Sequence, residues 1–153
     1  MTTLIQKNMS LTDAEARDLR VLAGVMIPAS DTYKVPGADD AAIFADILKS
    51  LERDTGDVRT ALKQLATLAG GAFADLAPER RRDVAAAFKL EGGAPLSALN
   101  RVVLLCYYRD DRVMRSLGQE PRSPFPKGHV VEQGDWSLLD PVKKRAPMWR
   151  RAR

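Results

Sequence analysis

The stretch Pro95-Leu-Ser-Ala-Leu-Asn-Arg-Val-Val-Leu-Leu-Cys-Tyr-Tyr108 decides the fold. Leu96, Leu99, Val102, Val103 and Cys106 recur at three- and four-residue steps, the spacing of a helical face and not of a strand. Leu104, Leu105 and Tyr107 carry apolar surface around the rest of the turn. A helix apolar nearly all round is a buried one, either central to a bundle or under a partner. At 14 residues it is too short to cross a bilayer, which takes about 20.

The chain on both sides continues the same grammar. Upstream, Thr12-Asp-Ala-Glu15 fits a capping box, in which the Thr oxygen and the Glu carboxylate each satisfy an orphan backbone N–H. The first helix carries Leu19, Leu22, Ala23 and Met26 on one face until Pro28 stops it. The turn chemistry of residues 29–37 makes a loop, and Asp39 or Asp40 opens a second helix with the stripe Ile43, Phe44, Ile47, Leu48 and Leu51. Thr55-Gly-Asp57 breaks the chain, with Asp57 as the expected N-cap of a third helix carrying Val58, Leu62, Leu65, Leu68 and Ala69. Pro78 followed by Glu79 opens a fourth helix, which turns Val84, Ala87 and Phe88 inward and ends at Glu91-Gly-Gly93. Downstream, Asp110 or Asp111 opens a short sixth helix ending at Leu117-Gly118.

After Gly118 the pattern changes. Five of the nine prolines fall in the last 33 residues, a density that breaks helices and favours extended or turn backbone. The same stretch holds Phe125, Trp136, Trp149 and the Val130-Val131 and Leu138-Leu139 pairs, which disordered tails normally lack. Such an arm buries its anchors against its own bundle or across another protein. The expected fold is therefore all-α: an N-terminal lead over 1–10, a small bundle of about six helices over 11–118, and an extended, proline-rich arm over 119–153.

Charge and composition exclude several functions. Residues 143–153 hold six basic side chains and no acids; taking those six from the 24 basic residues leaves 18 against 20 acidic, a net of −2 for the rest. The surplus is one tail, whereas nucleic-acid domains usually spread a basic patch over a folded face. An adaptor that binds nucleic acid or an acidic surface through this tail is the alternative function, and a phosphate-binding tail weakens steeply with salt. One Cys and one His rule out an internal disulfide and Cys/His zinc frameworks. The sequence has no Walker loop, no GxGxxG and no HExxH. The chain is not expected to be an enzyme on its own.

The chain resembles the small subunit of flavin dehydrogenases, the family named for gluconate 2-dehydrogenase subunit 3. The matching residues are Ile27-Pro-Ala-Ser-Asp31 and Pro36-Gly-Ala38, then Tyr107-Tyr-Arg-Asp110 with Val113 and Leu117-Gly118, then Pro124-Phe-Pro-Lys-Gly128 and Gly134-Asp-Trp-Ser-Leu-Leu-Asp-Pro141. The resemblance implies an all-helical, non-catalytic subunit that binds, stabilises and helps mature a larger glucose-methanol-choline-type sugar or alcohol dehydrogenase. FAD is then expected in the partner and no cofactor in this chain, with a cytochrome c as a further electron acceptor. Many relatives begin with a twin-arginine signal, whereas Met1–Ser10 contains none. A cytoplasmic complex is expected, periplasmic only if a partner carries the export signal, with no nucleic acid and no direct membrane insertion.

The partner-binding residues expected are Tyr107, Tyr108, Phe125, His129, Trp136, Leu138, Leu139 and Trp149. Trp is enriched at interface hot spots, and an aromatic on a proline-rich arm has little use unless it docks. His129 is the only side chain with an ordinary pKa near neutrality. With no second catalytic group in view, it reads as a loop histidine bonded to backbone or partner. Cys106 reads as a small buried hydrophobe, Asp110 and Asp111 as helix caps, and Arg80-Arg-Arg82 as a solvated face.

Overall fold

The computed structural model describes residues 10–122, 128, 130 and 132–146. The chain divides into two units that meet between Pro121 and Arg122. Among the described residues the first is all-helical apart from one isolated β-bridge, Ser30 to Val35.

Helix α1 runs Asp13–Met26 behind the expected capping box: Glu15 N–H donates to the Thr12 hydroxyl and Thr12 N–H to the Glu15 carboxylate. Arg59 donates to the other Glu15 oxygen at 3.1 Å, so the cap residue also ties α1 to a distant helix. Burial works against the ionised form, yet the Thr12 and Arg59 bonds hold the Glu15 carboxyl below its usual pKa. The chain then folds back, with Ala38 N–H donating to the Ile27 carbonyl. Gly37 is required here: a Cβ would stand 2.9 Å from the Ala29 nitrogen.

Helix α2, Ala41–Lys49, is capped by the Asp40 carboxylate, which accepts from Ala42 and Ile43 N–H. Ile43, Phe44, Ile47 and Leu51 turn inward, while Leu48 is exposed. Leu48 was expected on this stripe; it lies one position past the inward arc centred on Ile47.

Helix α3 runs Thr55–Ala69 and corrects the expected break at Thr55-Gly-Asp57. A 3-10 turn over Glu52–Asp54 makes the break instead, and the Thr55 hydroxyl donates to the Glu52 carbonyl at 2.7 Å. That bond anchors the first turn, so Asp57 sits inside it, where a carboxylate favours the helix dipole. Gly70 ends α3 with a left-handed φ of 72°.

A further turn, Phe73–Asp75, was not expected, yet Phe73 is 0% exposed. The Asp18 carboxylate accepts Ala74 N–H at 2.8 Å and Arg81 donates to the Ala74 carbonyl at 2.7 Å, holding the turn from both sides. Helix α4, Pro78–Glu91, buries Val84 and Phe88. Ala87, expected inward, is exposed. Arg81, Val84, Ala85 and Phe88 form the inner stripe, at i, i+3, i+4 and i+7, and Ala87 falls about 100° to one side of Phe88.

Helix α5, Gly93–Tyr108, begins two residues before the expected Pro95 and packs on α3 and α2. Pro95 is tolerated there because the first-turn N–H groups lack intrahelical partners anyway. Helix α6, Asp111–Ser116, is capped by Asp110, as its position suggested. The bundle centre is α3, which touches α1, α4 and α5.

In the second unit, Trp136–Leu139 forms a 3-10 turn and Asp140–Lys143 the short helix α7. The Asp135 carboxylate accepts the Ser137 N–H and hydroxyl and starts the turn. The described arm is thus helical over 136–143 where extended backbone was expected. Pro141 fits because a first-turn residue needs no N–H.

Candidate interaction surfaces

Two of the expected partner-binding residues end α5 and three share one turn of the arm. Tyr107 is only 5% exposed and faces the core, while Tyr108 is 53% exposed. Their rings meet edge to face at 5.3 Å, a favoured aromatic geometry. Burial, then the neighbouring Tyr108 and Asp110, raises the Tyr107 phenol above its ordinary pKa. Trp136, Leu138 and Leu139 lie together on the Trp136–Leu139 turn, all exposed. The Trp136 indole N–H donates to the Gln133 side chain at 3.2 Å. Phe125, His129 and Trp149 lie outside the described residues.

On the outer face of α5 the sequence marked Tyr108 as partner-binding and Leu104 and Leu105 as apolar, without joining them into one surface. Leu104, Leu105 and Tyr108 are exposed there, opposite the buried Leu99, Val103 and Cys106. These three line an open groove of about 470 Å³ together with Arg101 and Arg109. A neighbouring cleft of about 390 Å³ shares Arg101, Leu105 and Arg109 and adds Lys49 and Arg53. The i, i+4 pair Leu104 and Tyr108, bracketed by the two arginines, was the available signal. It was masked because the opposite face is equally apolar.

Ion pairs fix this end of the first unit. Arg109 donates to the Asp46 carboxylate and the Ser50 hydroxyl, joining α5 to α2. The Arg109 guanidinium holds the Asp46 carboxyl below the usual carboxylate range. Arg101 donates to Asp54 at 2.7 Å, which satisfies a nearly buried carboxylate. Arg112 forks between Asp40 at 2.7 Å and Asp110 at 2.9 Å, locking α6 to the start of α2. That guanidinium lowers the pKa of both carboxyls. Asp110 therefore serves as both helix cap and ion-pair partner.

Cys106 is buried, and burial pushes its thiol pKa up, away from the thiolate that a nucleophile needs. Among the described residues, no group of three His, Cys, Asp or Glu is placed to hold a metal ion. No described helix is long and apolar enough to cross a membrane. The chemistry on display is apolar contact framed by fixed charge. No family model, no characterised protein and no solved structure matches this chain.

Proposed function

We propose that this chain is a non-catalytic small subunit that binds, stabilises and helps mature a larger FAD-dependent dehydrogenase of the glucose-methanol-choline type. The observation that carries the reading is the exposure of Trp136, Leu138, Leu139 and Val142 on two consecutive short turns of the arm. Trp136 is 65% exposed. Covering the open part of a tryptophan removes on the order of 100 Å² from water, about 2–3 kcal/mol at roughly 25 cal/mol per Å². A turn that shows this much apolar surface behind its Asp135 cap is built to be covered.

The sequence motifs supply the kind of partner. Pro36-Gly37, Tyr107-Tyr108 and Gly134-Asp-Trp136 resemble the small subunits of flavin dehydrogenases. FAD and the acid–base groups then belong to the large chain, which passes electrons to an acceptor such as a cytochrome c. The role of this chain is to fold its helical body and present the arm.

Purification through a tag on this chain, from its native host, tests the reading. The expected product is a complex with a larger yellow chain that reduces a dye when given sugar or alcohol. A tagged chain that elutes alone, or with nucleic acid released steeply by salt, overturns it.

A further inference from the structure

We infer that the outer face of α5 is a second docking site, and that it takes an acidic amphipathic helix of another protein. Helices pack by setting ridges into grooves, and i, i+4 rows make the ridges. Leu104 and Tyr108 form one such row and Arg101, Leu105 and Arg109 the next, with the 470 Å³ groove along them. From Arg101 to Arg109 the face is about 12 Å long, enough for two turns of a partner helix. Leu105, 58% exposed, stands between the two arginines.

Charge complementarity sets the chemistry of the occupant. The adjoining cleft carries four cations, Lys49, Arg53, Arg101 and Arg109, against Glu52 and Asp54, and Asp46 pairs with Arg109. The Asp54 carboxylate is already engaged by Arg101. Arg101 uses Nη2 for that bond, and Arg109 uses Nε and Nη2 toward Asp46, Ser50 and Cys106. Both side chains stay about half exposed, 45% and 53%, while these bonds hold them in place. Arginines held this way lose little freedom on binding a carboxylate. A helix with leucines along one stripe and glutamates beside it meets both demands. A basic helix does not.

This site lies on the first unit and does not depend on the partner being a flavoprotein. The test is an amide chemical-shift titration of the full ¹⁵N-labelled chain with two synthetic helical peptides of about 18 residues. Both carry the same leucine stripe, one flanked by glutamate and the other by lysine. The glutamate peptide is expected to shift amides in 101–109 and 49–54, to bind about tenfold more tightly than the lysine peptide, and to weaken with salt. Leu105→Asp, an exposed position, should lose about tenfold in affinity with an unchanged circular dichroism spectrum, and Leu104→Ser provides a milder second variant. No shifts at millimolar peptide, equal binding of both peptides, or shifts on another face overturn the site. So does concentration-dependent self-association that Leu105→Asp abolishes, since the face is then covered by a second copy.

Discussion

The helical body and the arm use similar residues to opposite ends. In the body, leucines, valines and phenylalanines at three- and four-residue steps disappear into one core, from Leu19 on α1 to Val113 on α6. In the arm, every described residue from 132 to 146 is exposed, including Trp136, Leu138 and Leu139. Both regions are capped by aspartates and start helices at prolines. Caps and helix starts therefore do not separate them, although proline density after Gly118 does. The difference lies in what each stripe faces within its own unit: α3 meets three other helices, and the Trp136–Leu139 turn contacts α7 beside it.

Substitutions should divide along this line. The largest effect is expected at Phe73: Phe73→Ala opens a cavity in the core and should cost about 3–5 kcal/mol in urea unfolding. Little or no change would mean that the turn is not anchored in the core. Gly37→Ala should follow at roughly 1–3 kcal/mol, since its Cβ collides with backbone that cannot move independently. A loss below a few tenths would show that the Ile27–Ala38 closure is slack.

The Arg112 fork sharpens the comparison electrostatically. It is partly exposed, so Arg112→Ala should cost only about 1 kcal/mol. The pH dependence is more specific. Asp40, Asp46 and Asp110 all have lowered folded-state pKa values. Such carboxylates contribute stability that is fully present above their unfolded pKa of about 4 and is lost as pH falls through the lower folded values. Unfolding midpoints of the native chain should therefore be flat above about pH 5 and drop below about pH 4. Arg112→Ala should make that acid drop shallower; an unchanged slope would remove the fork from the account. The smallest effect belongs to the arm: Trp136→Ala should change the stability of the isolated chain by less than about 0.5 kcal/mol.

Much of the body was legible because its signals are local. The Thr12–Glu15 box, the Asp40 and Asp110 caps and Pro78 each act within a few residues. What was not legible depends on distant partners. The buried Phe73 turn is held by Asp18, 56 residues earlier than Ala74, which accepts that residue's N–H, and by Arg81, which donates to the Ala74 carbonyl. Thr55 begins α3 through a side-chain bond that nothing in Thr-Gly-Asp announces. On the candidate surfaces, Trp136 and Leu138 are exposed on the described arm. Tyr107 and Tyr108 are adjacent in sequence but differ by about 100° around the helix, so one ring is core and the other surface. Which side of α5 faces out was not legible, because a helix apolar on both sides gives no periodicity to mark it.

The central claim is that the exposed arm residues hold a larger flavoprotein. Its most direct measurement compares the full chain with a Trp136→Ala, Leu138→Ala, Leu139→Ala variant, each tagged and purified from the native host. Absorbance near 450 nm reports FAD in the co-eluting chain. The account predicts a stoichiometric yellow partner on the native chain, and its loss on a variant whose helical content and unfolding midpoint are unchanged. A variant that retains the yellow partner as tightly as the native chain contradicts it.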